Sequence, residues 1–153
     1  MTLFSLLRSF PASVHHLSRR EWKLVLILAS KWEFLRVRAR AIVVLTYLQE
    51  VPLKALEKIR LGRDLSITSW VIDGFVKLVQ ATTITDEEAL LIDIGAATTA
   101  YKLFRIREQR IAGEMPVFCC YIKVEEIFKE ELDRLRSTEK MLRRKCSATR
   151  ITT

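Results

Sequence analysis

SRREWKLVLILASKWEF, residues 18–34, decides how the rest of the chain is read. It holds two of the three tryptophans, Trp22 and Trp32. Ser18 is a good N-cap, and Glu21 three residues later completes the spacing of a capping box. The helix that opens there should run to about Lys31. Trp22, Val25, Leu26, Ala29 and Trp32 follow helical spacing and share one face. Leu24, Ile27 and Leu28 occupy the remaining circumference, so the helix is apolar nearly all round. Such a helix is expected inside a domain, with neighbours on several sides and the two indoles as anchors.

Working outward, a second helix is expected from Glu33 to about Leu48. Its inward stripe is Phe34, Val37, Ala41, Val44, Leu45 and Leu48. Arg36 and Arg40 stand four apart on another face, which reads as solvated or as a contact surface for an acidic partner. Pro52 suits the first turn of a third helix through Leu53, Leu56 and Ile59, with Gly62 near its end. Trp70, Val71, Phe75, Leu78 and Val79 mark a fourth. Thr85 with Glu88 repeats the capping-box spacing ahead of a short helix ending at Gly95, and a further helix covers about Ala97 to Ile111. The segment 112–122 breaks the pattern: Gly113 and Pro116 argue for a turn, and VFCCYI reads as a short extended piece. Val124 to Arg144 reads as one long amphipathic helix, with Phe128, Leu132, Leu135 and Leu142 in a line that Glu139 interrupts. Its acid-first i, i+4 pairs are Glu125/Lys129, Glu130/Arg134 and Glu139/Arg143.

The fold expected is therefore all-α: a compact multi-helix array over residues 1–111, a linker at 112–122, a long amphipathic helix at 123–145 and a disordered tail at 146–153. The composition agrees with it. The chain has 153 residues, half of them hydrophobic, with only four glycines and three prolines to serve β-turns. Its net charge of +8 is uneven. Residues 1–63 carry twelve Lys and Arg against four Asp and Glu, residues 64–136 nine against thirteen, and residues 137–153 five against one. Alternating sign favours an acidic protein partner or self-association over nucleic acid, for which no reading motif is present. No apolar run reaches the length of a membrane span. Residues 1–20 contain three arginines and no acid, which resembles a mitochondrial presequence in composition; the simpler reading is a short helix from Thr2 to Phe10, stopped by Pro11.

No motif for chemistry emerges. There is no GxGxxG, P-loop, GxSxG or HExxH. Glu87 and Glu88 fall on different helix faces, and the His15–His16 pair has no nucleophile or acid placed beside it by motif. Three cysteines, Cys119, Cys120 and Cys146, form no CxxC pair and read as reduced thiols of an intracellular protein, in cytoplasm or nucleus. No catalytic residue, no metal and no cofactor is expected.

The helical segments do resemble a family. EWKLVLILASKWEFLRVRARAIVVL is similar to the helices at the end of the BTB/POZ domain in fungal BTB-containing proteins. The matching positions are Trp22, Val25, Leu26, Leu28, Ala29, Trp32, Phe34, Val37, Arg38, Ala41 and Leu45. The resemblance continues at Lys58, Gly62, Arg63 and Trp70, then at Thr85, Glu88, Ala89 and Gly95, and closes at Arg107 and Glu108. It covers roughly residues 3–110. Gln80 and Ala81 depart from the family's basic residue after the fourth helix. The strand-bearing core that precedes these helices in the family has no counterpart in this sequence, so strand-mediated dimerisation is not implied. What the resemblance implies is a non-enzymatic protein–protein interaction module, an adaptor or scaffold; cullin docking, which uses nearby helices in some relatives, is left open. The expected contact residues are Phe4, Leu7 and Trp22, the pair Arg36 and Arg40, and the stripe Phe128, Leu132 and Leu135. The alternative is a basic nucleic-acid-associated regulator using Arg36, Arg38, Arg40, Lys58, Arg60 and Arg63.

Overall fold

The computed structural model describes residues 17–48, 53–81 and 98–148. Among them are seven α-helices, one π-helical turn, one 3-10 turn and no strand, so the array is all-α. The chain divides into two compact units: residues 1–53 with 142–153, and residues 54–141. The sequence-expected helix ending at Gly95, like Phe4, Leu7, His15, His16 and Pro52, lies outside the described residues.

In the first unit, α1 (Arg19–Lys31) begins with the expected capping box. The Glu21 N–H donates to Ser18 Oγ at 3.4 Å, and the Ser18 N–H donates to Glu21 Oε2 at 2.6 Å. These bonds from Ser18 hold the Glu21 carboxyl below its ordinary range. The helix ends in a Schellman motif: the Phe34 N–H reaches Ala29 O at 2.8 Å, and Glu33 takes a positive φ of 56° between them. That turn reverses the chain into α2 (Leu35–Val43), which runs directly into a π turn (Val44–Leu48). Both pack against α1. Glu33 also pairs with Lys145, at 2.6 Å, near the end of the last helix.

The all-round burial expected of α1 is not what the molecule shows. Trp22, Leu26 and Ala29 are buried, but Leu24, Ile27, Leu28 and Trp32 are exposed. One helical hairpin supplies neighbours to only one arc of the circumference, about 100° wide. Phe34 is exposed as well, because the Schellman turn carries it past the end of the α2 stripe.

The second unit is built from α3 (Ala55–Asp64), α4 (Thr68–Gln80), α5 (Thr98–Ile111), a 3-10 turn (Val117–Cys119), α6 (Cys120–Ile127) and the first thirteen residues of α7 (Lys129–Ala148). Its core gathers Ile59, Val71, Phe75, Val79, Leu103, Ile106, Val124, Phe128 and Leu132. Phe75 and Phe128 stack with ring centres 4.2 Å apart. Gly62 sits inside α3 rather than at its end. It lets α4 approach, since a Cβ there would lie 2.7 Å from Val71 Cγ2. The residue with positive φ after α3 is Ser66, at 54°, and the Ile67 N–H closes that turn on Gly62 O at 2.8 Å.

Two sequence expectations change at the C-terminal end. VFCCYI is helical, as a 3-10 turn leading into α6. The single long helix is broken at Phe128, which leaves helical geometry at φ −101°, ψ 15°. The break turns Phe128 into the core, and it redirects the ion pairs. Glu125 meets Arg136, not Lys129. In an unbroken helix eleven residues would separate them by about 16 Å along the axis. The Arg134 Nε–H donates to the Glu130 carbonyl at 3.2 Å. Glu139, the apparent interruption of the apolar line, accepts a bond from Thr68 Oγ1 at 3.0 Å. The final helix continues to Ala148, beyond the expected start of the tail at 146.

Lys58 is buried and pairs with Asp73, which also meets Lys77 at 3.3 Å. Partial burial works to raise the Asp73 carboxyl, but the hydrogen bond and charge of Lys58, with Lys77, outweigh it and hold Asp73 below the ordinary value. A carboxyl lowered in the folded state contributes stability that is complete above its unfolded pKa, about 3.9, and lost as the pH falls through its folded value. Asp73→Asn is therefore expected to lose about 1 kcal/mol at neutral pH, a figure kept small because the carboxylate is 42% exposed and screened. Urea melts should show that deficit closing as the pH falls through the carboxyl's folded value, which lies below the ordinary aspartate value.

Candidate functional site

The site assembles on α1. Leu24, Ile27 and Leu28 fall at i, i+3 and i+4 and form one apolar face. Leu24 is 59% exposed and Trp32, one turn beyond Leu28, is 58% exposed. The Schellman turn then folds Phe34 back toward Trp32, and the two rings meet edge to face, centres 6.1 Å apart. Arg20 and Lys31 continue the same face at its two ends, i−4 and i+7 from Leu24, and both are exposed. The result is a strip of three aliphatic side chains and two aromatic rings, closed at each end by a cation. The unit that carries it is strongly basic. Residues 1–53 with 142–153 hold twelve Lys and Arg against three Asp and Glu, a net charge of +9. Residues 54–141 hold fourteen against fifteen, a net of −1.

The expected contact residues fare differently. Trp22 is 2% exposed and belongs to the interior of the α1 hairpin, so it presents nothing to a partner. Arg36 is exposed, whereas Arg40, one turn later on the same helix, is 1% exposed. Phe128 and Leu132 are buried and Leu135 is packed against the same core, because the break at Phe128 turns that stripe inward. Of the six cations considered for nucleic acid, Arg38, Arg40 and Lys58 are buried, and Arg63 is engaged by Glu131. The Arg63 bond is two-pronged, Nε to Oε1 at 2.6 Å and Nη2 to Oε2 at 3.2 Å. Arg36 and Arg60 are the two left exposed.

In the second unit, α5 and α6 flank a groove of about 450 Å³ lined by Tyr101, Lys102, Arg105 and Lys123, among others. Lys102 Nζ lies 5.5 Å from the centre of the Phe128 ring, Arg105 lies 5.9 Å from that of Tyr101, and Lys123 is paired with Glu126 at 3.0 Å. Nearby Val117, Phe118 and Ile122 are also exposed. Burial pushes the Cys120 thiol up, more than the charge of Arg110 lowers it, so this thiol is held protonated. Among the described residues no group of three or more His, Cys, Asp or Glu is placed to hold a metal ion. Among the same residues no helix is long and apolar enough to cross a membrane.

Sequence reasoning missed the α1 strip as a site because its residues looked like core. The signal available was the pair of cations Arg20 and Lys31, which fall on that face at its two ends. No protein-family model matches the chain, and neither a curated protein nor a solved structure matches it.

Proposed function

We propose that this protein is a non-enzymatic interaction module, an adaptor or scaffold, whose α1 strip receives an acidic amphipathic helix of a partner protein. The exposed strip with cations at both ends carries the reading. Helix-on-helix recognition uses anchors at i, i+3, i+4 and i+7, the positions held here by Leu24, Ile27, Leu28 and Lys31. A net charge of +9 in that unit favours an acidic partner and opposes pairing of the strip with the same strip of a second copy. The BTB-like order of the helical motifs supports the adaptor reading and adds no residue to the site.

The test is titration with a synthetic peptide of about 20 residues, Leu on one helical face and Glu on the other. Trp32, exposed within the strip, reports binding by its fluorescence, with Trp32→Phe as the spectral control. Binding should weaken with salt, and Leu28→Asp should weaken it by at least about tenfold, the loss expected for one buried leucine. A peptide that does not bind, or that binds Leu28→Asp as well as wild type, overturns the proposal.

The charge of the unit favours a second reading, in which the exposed cations contact nucleic-acid phosphates. It predicts duplex DNA binding whose affinity falls steeply with salt and is unmoved by Leu28→Asp.

A further inference from the structure

Among the described residues of the first unit, Arg40 is a buried cation whose guanidinium has no hydrogen-bond partner. It is 1% exposed, and Nε, Nη1 and Nη2 each have no hydrogen-bond partner. Lys58, also buried, has Asp73, and the partly buried Arg63 has Glu131. A buried lysine or histidine can shed its proton to escape such a position, but a guanidinium does not. An uncompensated buried charge is among the most destabilising features a fold can carry, so this one calls for an anion.

The unit that holds Arg40 has few acids to offer. Its residues include three, Glu21, Glu33 and Glu50. Glu21 is held in the capping box, Glu33 is paired with Lys145, and Glu50 lies outside the described residues. Ser30 Oγ is likewise buried in this unit without a partner. The fork of a guanidinium matches the two oxygens of a carboxylate in two parallel bonds. Arg40 also stands one turn before the π turn at Val44–Leu48. The π register is a rare one, found mostly as single turns and frequently at functional sites.

We propose that Arg40 is a buried anchor for an Asp or Glu carboxylate of the partner helix, admitted when the α2–π segment opens. The inference rests on the reading of the α1 strip given above and assigns it a specificity-determining residue. In the free protein the guanidinium is a stored instability; in the complex it is paired. Stability and binding must then move in opposite directions when it is removed.

The experiment compares Arg40→Met and Arg40→Lys with Arg36→Met, an exposed control on the same helix. Thermal melts of the full chain are measured alone, and binding is measured to the Leu/Glu peptide and to its Leu/Gln counterpart. Arg40→Met should melt several degrees above wild type and bind the Leu/Glu peptide at least tenfold more weakly. Arg40→Lys, which lacks the fork, should lose affinity as Arg40→Met does. Arg36→Met should change neither by a comparable amount. Replacing Glu by Gln in the peptide should erase the difference between wild type and Arg40→Met. A melting temperature of Arg40→Met below wild type overturns the proposal, since the guanidinium is then compensated within the chain. Equal binding by Arg40→Met and wild type, with Leu28→Asp still defective, overturns it too and leaves the strip reading standing. Loss of peptide binding by wild type itself removes both.

Discussion

Phe75→Ala should destabilise the protein by about 3–5 kcal/mol, a large fraction of the roughly 5–15 kcal/mol that holds a typical domain folded. Phe75 has no exposure and stacks on Phe128 at 4.2 Å. The Arg63 guanidinium lies 5.5 Å from the same ring's centre. Truncation removes the transfer energy of the ring, leaves a cavity between α4 and the Phe128 break, and takes away the surface on which Arg63 rests. Chemical denaturation read by circular dichroism checks it. A double-mutant cycle with Phe128→Ala should show coupling of about 0.5–1.5 kcal/mol, the stacking contribution beyond simple burial. A loss below about 1 kcal/mol for Phe75→Ala would mean that the ring is not in the core.

Gly74→Leu is the second large effect, and its sign runs against helix propensity. Replacing a mid-helix glycine ordinarily gains up to about 1 kcal/mol. Here a Cβ would lie 2.5 Å from Ile59 Cγ1 and 2.8 Å from the Ala55 carbonyl oxygen. The second of these is backbone and cannot swing away. α3 and α4 would have to separate along a contact that also includes Gly62 against Val71. Overpacking of this kind costs about 1–3 kcal/mol and more when backbone must move, so Gly74→Leu should lose roughly 3 kcal/mol, and even Gly74→Ala should lose rather than gain. Thermal melts of the two variants beside wild type decide the matter, and a Gly74→Ala that melts higher would show the two helices to be further apart.

Much of the helical framework was legible in the chain itself. The Ser18–Glu21 capping box, the start of α1 and the end of α5 at Ile111 follow from residues close together in sequence, and local hydrogen bonds form wherever those residues are. The break at Phe128 was not legible. FKEELDRL carries no glycine or proline, and the helix yields there because turning one large ring onto Phe75 buries more than an unbroken helix would. Nor was the role of Glu139, whose partner Thr68 lies seventy-one residues away.

The sequence by itself determined that this is an array of helices, where most of them begin, and that its positive charge is concentrated towards the two ends of the chain. Only the tertiary structure decided which arc of α1 is covered, that Arg36 meets solvent while Arg40 does not, and that Phe128 and Leu132 are core and not contact surface. The reason is physical. Helical periodicity assigns residues to faces, but burial belongs to whatever packs on a face. On a helix that is apolar nearly all round, only its neighbours choose which arc stays dry.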